Sequence, residues 1–398
     1  MLIEIHILQN HSPSNLNRDD TGSPKEAVFG GWKRARISSQ CLKRSIRRSD
    51  TFQHEMENHL ANRTRQLPER VRAILLKDGI TEEFAEIAAQ KVSGFGNKEG
   101  TEQKADKNGT YATKQTMFLT DNDINAVAEI MKQAIKNAAS PKAFADDKKT
   151  DYQSLAQEQG YRPISVDIAL FGRMTTSSAF RDCEAAAQVA HAISTHKVEH
   201  EYDYFTAVDD LKGGVAVEDD AGADMIGDVE FNSACYYKYF SVDFDALVAN
   251  LTGESAGKKD ISTADKKASS DLAVCAVDAL LRSAIMTTPS GKQNTFAAHQ
   301  YPAAVLVEVR PYNTPVNYAN AFVEPARSTS GKDLVKDSIE KLAKHVTALT
   351  SGFNLKTDAR FLLAPEYQEF SADGITRMPD LNILCEELKG VILNGTSS

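Results

Sequence analysis

Ala27-Val28-Phe29-Gly30-Gly31-Trp32-Lys33-Arg34-Ala35-Arg36-Ile37-Ser38-Ser39-Gln40-Cys41-Leu42-Lys43-Arg44-Ser45-Ile46-Arg47-Arg48-Ser49 carries seven basic residues and no acidic one, in a chain of formal net charge −9. Lys25 lies just upstream. A chain that is acidic overall does not attract phosphate in bulk. A concentrated positive run therefore points to a local anion site, and first to a nucleic-acid backbone. Ser38 or Ser39 can cap a helix that starts here. At helical spacing Gln40, Lys43, Arg44 and Arg47 fall on one face, with Leu42 and Ile46 roughly opposite. One side can then pack on a sheet while the other meets phosphate. The competing reading is a solvated charged face. Such faces normally mix signs, and this run does not.

Upstream, residues 2–8 read as a strand with Ile3, Ile5 and Ile7 on one side. Residues 9–31 read as a loop, with turn signals at Asp20-Thr21-Gly22 and Gly30-Gly31. Strand, polar loop and basic helix open the chain. Downstream, Phe52 to Ala145 is helix-rich and highly charged, interrupted by a segment from Gly94 to Lys114 that reads as a mobile loop. Ile164 to Phe171 reads as a strand, and the alanine-rich stretch Asp182 to Ser194 as a helix. His200 to Asp210 mixes aromatics with acids, and Gly213-Gly214 and Gly222 break the stretch after it. Strands are expected over Phe231–Phe244 and Tyr301–Arg310, and helices over Lys258–Thr288 and Val335–Thr350. Strands separated by helices in this order indicate an α+β core with insertions.

A length of 398 residues suggests two or three structural units. No apolar run reaches the roughly 18 residues a membrane helix needs. The apolar start lacks the basic lead of a signal peptide. Five cysteines without a close pair fit reduced thiols in a cytoplasmic protein. No zinc spacing, GxGxxG or GxxxxGK[ST] pattern occurs.

Several smaller features admit a chemical reading beside a plain one. Tyr204-Phe205 can stack on bases or anchor a loop. Met174, after Gly172-Arg173, can wedge between bases or simply pack. Thr288-Pro289-Ser290-Gly291-Lys292-Gln293-Asn294 can offer amides to phosphate or serve as a plain connection. His191, His196 and His200 do not form a metal-binding pattern. Asp19-Asp20, Asp209-Asp210 and Asp219-Asp220 are paired acids of the kind common in loops. His6 and His11 lie near the basic patch, with nothing in the sequence to position a catalytic partner.

Three segments together resemble the CasC family, the backbone subunit of the type I-E CRISPR Cascade complex. They are His11-Ser12-Pro13-Ser14-Asn15-Leu16-Asn17-Arg18-Asp19-Asp20, Phe29-Gly30-Gly31, and Arg36-Ile37-Ser38-Ser39-Gln40-Cys41-Leu42-Lys43-Arg44. The likeness continues in Val166 to Met174, Ala190 to His196 and Tyr204 to Asp210. It is weaker in Lys292 to Ala298 and Ala319 to Phe322.

The resemblance implies a hand-like molecule with a modified RRM-type, ferredoxin-like palm over residues 1–59, 164–195 and 232–398. It implies a helical fingers insertion over 60–163 and a thumb over 196–231. Copies would line up along the spacer of one CRISPR RNA as a helical filament, leaving bases free to pair with target DNA. CasA, CasB, CasD and CasE types would be the other partners. The family's RNA contacts carry over to Lys25, Gln40, Lys43 and Arg47, with Arg18 and Arg44 as further members. Met174 corresponds to the methionine at the RNA kink, and Tyr204 and Phe205 to the thumb's aromatic pair. The expectation is an RNA-binding scaffold with no cofactor, no metal and no catalytic activity. A CRISPR-associated endoribonuclease and a general single-strand binder are the alternatives.

Overall fold

The computed structural model describes residues 1–207, 225–368 and 374–396. Two compact units form. One comprises residues 1–52, 189–241 and 278–398, the other 53–188 and 242–277.

The first unit is built on a mixed sheet. Its strands are β1 (Leu2–Ser14), β2 (Glu26–Phe29), β3 (Trp32–Ile37), β4 (Ala192–Ser194), β5 (Glu201–Ala207), β6 (Met225–Asp243), β7 (Ala304–Arg310), β8 (Ala359–Leu363) and β9 (Thr376–Arg377). The lateral order is β9–β8–β7–β1–β6–β4–β3–β2, and β5 pairs with β6 outside that path. β1 runs antiparallel to β7, with Glu4 opposite Glu308 and His6 opposite Leu306. β8 and β9 are parallel, which makes the sheet mixed.

β1 and β7 are buried along nearly their whole length. That explains why β1 reads as a continuous apolar run rather than an alternation. On one side of the sheet Leu8, Tyr237, Leu306, Tyr318, Phe322 and Leu342 form a core. Leu342 comes from α3 (Leu334–Gly352); α1 and α2 are the earlier helices Ser39–Arg47 and Gln293–Phe296. A second core joins Leu16, Ile37, Leu42, Ala192, Tyr236 and Ala298. Leu42 and Ile46 of α1 are both buried, each worth about 1.5–3 kcal/mol against an exposed position. This is what holds the basic helix to the sheet.

Isolated charges are not tolerated in such a sheet, and the central strands answer with a buried ionic network. Glu308 on β7 accepts from Arg360 of β8, from Arg310 at 3.1 Å and from the Tyr318 hydroxyl at 2.8 Å. Glu4 accepts from Arg310, from the Tyr239 hydroxyl at 2.6 Å and from the Val316 N–H at 2.7 Å. His6 meets the Tyr237 hydroxyl at 2.8 Å and lies 3.3 Å from Glu308. Burial alone would raise the Glu308 carboxyl. The His6 contact and the two guanidiniums override it and hold the group down at about 2.

The second unit is mainly helical. Its core gathers Leu67, Val71, Val92, Ile124, Met131 and Phe144 from helices Leu67–Lys77, Glu82–Val92, Asp121–Asn137 and Pro141–Asp146.

Four segments differ from the sequence reading. The loop expected over 9–31 is shorter, because β1 runs on to Ser14 and β2 occupies Glu26–Phe29. Ile164 to Phe171 is not a strand but contains the helix Val166–Phe171; a short apolar run does not distinguish the two by periodicity. Asp167, in its first turn, accepts the Ala61 N–H at 3.0 Å. The alanine-rich stretch 182–194 is not a helix. Its end enters the sheet, with Ile193 between Arg36 and Tyr237, so ladder pairing overrides helix propensity. The segment from Gly94 begins packed rather than open. Gln153 Nε2 donates to Asn97 O at 2.9 Å, and Gly94 lacks the Cβ that would strike the Gly100 carbonyl. The expected helices near 258–288 and 335–350 form as Thr263–Met286 and α3, and the strands near 231–244 and 301–310 as β6 and β7.

Candidate nucleic-acid interface

α1 begins at Ser38, whose side chain accepts the Cys41 N–H at 3.3 Å. The Ser38 N–H in turn donates to Asn17 Oδ1 at 2.8 Å, which ties the helix start to the preceding loop. With Leu42 and Ile46 buried, Gln40 and Arg44 stand exposed and Lys43 and Arg47 half-buried. Partial burial pushes the Lys43 ammonium below its usual range.

The loop before α1 is internally braced. Asp19 Oδ1 accepts from the Thr21 N–H at 2.9 Å, the Thr21 hydroxyl at 2.8 Å and the Ser23 N–H at 3.0 Å. Asp19 is thereby committed to shaping the loop, and its acid is held below the usual range by those bonds. Arg18 is exposed, and Lys25 is half-buried with its N–H on Asn17 O at 2.8 Å. Between this loop, α1 and Ser290-Gly291 lies an open groove of about 530 Å³, with Arg18, Arg44, Cys41 and Ser45 in its wall. Gly291 belongs there for a steric reason: a Cβ at this position would collide with the carbonyl oxygens of Asn15 and Leu16. The loop 288–294 is thus part of the groove wall. The Ser-Gly pair is the available signal for it, and composition alone favours a plain connection.

Lys238 adds a positive charge behind this surface. It is fully buried, donates to Gln9 Oε1, and is pushed down to about 8 by burial. Its field also acts on Cys41 and on His11.

The basic run does not act as one patch. Arg34 is wholly buried. It donates to Phe322 O at 2.8 Å and to Ser194 O at 3.3 Å. Arg36 lies on Glu26 O at 3.1 Å and beside His191 at 3.0 Å, and Lys33 pairs with Glu26 at 3.3 Å. These three sit on β3, where they hold strands together. The exposed cations of the run beyond β3 are Arg44 and Arg48, in and just after α1.

Of the remaining candidates, Met174 is in the helical unit and is 94% exposed. Gly172 before it takes φ +81°. Arg173 is anchored on Asp123 at 2.8 Å and bridges Cys183 in both directions. Tyr204 and Phe205 lie on β5, 75% and 40% exposed. Asp209-Asp210, Gly213-Gly214, Asp219-Asp220 and Gly222 lie outside the described residues.

The histidines considered as chemical candidates, His6, His11, His191, His196 and His200, each meet a protein partner. His196 accepts the Cys235 N–H at 3.1 Å, and His200 binds Glu230 and lies 3.5 Å from Glu26. His11 is buried on Ala298 O at 3.2 Å, and burial with the nearby Lys238 charge brings it down to about 4. Among the described residues, Glu4, His6 and Glu308 have ligand atoms close enough for a metal. Arg310 and Arg360 already neutralise those carboxylates, so the donor set does not suit a cation.

The model of the CT1975-like protein family matches residues 3–387. The chain belongs to that family. Comparison with curated proteins finds no match. Among solved structures, this CT1975-like chain is similar to a chain of a "CRISPR RNA-guided surveillance complex, pre-nicking". The TM-score is 0.79 and the identity 26%, covering 98% of this chain and 100% of that one. A chain of another "CRISPR RNA-guided surveillance complex" shares the fold, with TM-score 0.58 and 22% identity over 98% and 99% of the two chains. The mixed sheet with its helices is therefore a fold found in surveillance complexes. No helix among the described residues is long and apolar enough to cross a membrane.

Proposed function

We propose that this CT1975-like protein is a guide-RNA-holding backbone subunit of a CRISPR surveillance complex, of the CasC kind in a type I-E Cascade. The observation that carries the reading is the end-to-end likeness to a surveillance-complex chain. Copies polymerise along the spacer beside CasA-, CasB-, CasD- and CasE-type partners. α1 and the adjoining groove hold phosphates through Lys25, Gln40, Lys43, Arg44, Arg47 and Arg18. Contacts of this kind position a strand without reading it, and a guide holder must accept every spacer and leave bases free to pair with target DNA. Repetition along one strand makes weak single-subunit contacts tight. In this reading the sheet is an RRM-like palm, residues 60–163 are fingers, 196–231 a thumb that closes over RNA, and Met174 packs at its kink.

We read the subunit as a scaffold rather than an endoribonuclease. Support comes from the burial of His6 and His11 and the use of Asp19 within its own loop. The free cysteines accord with a cytoplasmic setting. Sequencing and mass analysis of RNA co-purified with the protein is the test. Discrete spacer-containing guides support the reading, whereas random RNA or none sinks it. Incubation with repeat RNA, with and without EDTA, separates scaffold from nuclease.

A further inference from the structure

Met174 is the most exposed large apolar side chain among the described residues, and the backbone on either side of it is fixed, all within the helical unit. The helix Val166–Phe171 stops at Gly172, whose N–H donates to Ile168 O at 2.8 Å. Gly172 turns the chain at φ +81°, and a Cβ there would stand 3.1 Å from the Cys183 carbonyl oxygen. Arg173 then exchanges two backbone hydrogen bonds with Cys183, at 2.9 and 2.8 Å. Its buried guanidinium donates to Asp123 Oδ2 at 2.8 Å and to Arg181 O at 2.9 Å. Asp123 is held in turn. It closes the capping box of the helix Asp121–Asn137 with Thr120 and lies 3.2 Å from Arg162. Beyond Met174, the Thr175 N–H donates to Asp182 Oδ1 at 2.7 Å, and the Thr175 hydroxyl accepts the Ser177 N–H at 3.1 Å. Residues 173 and 175 are thus both tied to the returning segment 181–183, with Met174 between them.

A thioether left in water removes almost no apolar area from it, so its exposure does not stabilise the fold. Yet its neighbour is anchored by a buried ion pair, whose desolvation is costly. We propose that Asp123, Arg173 and Asp182 are positioning residues that present Met174 as a preformed wedge to the guide RNA. The inference rests on the guide-RNA reading above, in which Met174 packs at the kink. It adds that the protein side of the kink is built before RNA arrives. An apolar side chain that enters a base step has to offset the unstacking it causes. A mobile loop would add the entropy of fixing its own backbone, residue by residue. Bracing residues 173 and 175 in advance removes that second cost. Methionine suits such a mount, because its flexible side chain adapts to whichever bases a spacer brings while the backbone stays in place.

The test uses the full chain and a spacer-length single-stranded RNA. Asp182 is exposed, so Asp182→Ala removes the Thr175 acceptor without opening the core. In this variant the NMR order parameter of the Met174 amide falls from about 0.85 to below about 0.6. RNA affinity drops about fivefold or more for each residue that must now be ordered on binding. The salt slope is unchanged, since no phosphate contact is lost. The deciding measurement repeats the substitution in a Met174→Ala background. There it has no further effect, because a positioning residue acts only through the side chain it positions. Arg173→Lys, which keeps the charge but not the planar fork, loses affinity in the same Met174-dependent way. Equal losses with and without Met174 make the brace merely structural and overturn the proposal. So does an unchanged affinity in Asp182→Ala, or a Met174 amide already mobile in the wild type. If Met174→Ala binds like the wild type while Lys43→Ala with Arg47→Ala binds weakly, the wedge falls and the guide-RNA reading survives. Failure of the wild-type protein to bind RNA at low salt removes both.

Discussion

Arg34 in β3 and Arg44 in α1 belong to one acid-free run, yet the first is wholly buried on backbone carbonyls and the second stands in water beside a groove. The contrast extends to the two regions that hold them. In the sheet, Arg34, Arg310 and Arg360 are each saturated by carbonyls or carboxylates, because an uncompensated charge inside costs several kcal/mol. On α1, Leu42 and Ile46 supply the attachment, and Arg44 stands exposed in the groove wall. Apolar anchoring leaves Arg44 exposed, where anchoring on carbonyls buries Arg34.

The largest test breaks the sheet side. Glu308→Ala leaves Arg310 and Arg360 buried with one carboxylate fewer, and should cost about 3–5 kcal/mol, read by thermal or urea denaturation. A loss under about 1 kcal/mol, the worth of an exposed pair, would mean that the network is not the sheet's ionic anchor.

Acid should reach the same region in two steps. His11 is held down at about 4 from 6.5, so the folded state keeps it neutral. The stability this provides is complete above about pH 6.5 and is lost as pH falls toward 4, at about 1.4 kcal/mol per unit. Glu308, held near 2 from 4.5, adds stability that is complete above about pH 4.5 and is lost as pH falls toward 2. In urea titrations across pH, His11→Gln should flatten the upper step and leave the lower one. A wild-type profile level from pH 7 to 4 contradicts this.

Arg34→Ala comes next, at about 1–3 kcal/mol for the buried carbonyls it strands, with the salt dependence of RNA binding unchanged. A reduced slope would place Arg34 on the nucleic acid and erase the distinction between strand and helix.

Lys43→Ala with Arg47→Ala is the mildest for the fold, within about 1 kcal/mol. It should nevertheless lower the salt slope of RNA binding by about 0.7 for each phosphate no longer neutralised. An unchanged slope and affinity removes α1 from the interface.

The structure bears out part of the reading of the opening segment and corrects the rest. The helix, its capping serine and its two faces are local properties. Spacing at 3.6 residues per turn puts Leu42 and Ile46 opposite Arg44 whatever lies around them. The fate of Arg34 and Arg36 was not legible, because it depends on Ser194, Phe322 and His191, far away in the chain. The same holds for the groove. Its wall joins residues near 16 to residues near 291, and a glycine that admits two carbonyls looks in sequence like any loop glycine.

By itself the sequence determined what rests on short-range periodicity: the amphipathic basic helix, the apolar strands β1 and β7, the helices near 263–286 and 334–352, and the acid-free character of one run in an acidic chain. Tertiary structure alone decided the rest. The end of the alanine-rich stretch, Ala192–Ser194, became strand because a partner ladder was waiting at Arg36 and Tyr237. The apolar 166–171 became helix, its first-turn Asp167 taking the Ala61 N–H. Tyr204 and Phe205 took opposite faces because β5 pairs with β6. In each case backbone hydrogen bonds to distant residues outweighed local preference, since a buried N–H or C=O must find a partner and only the folded chain supplies it.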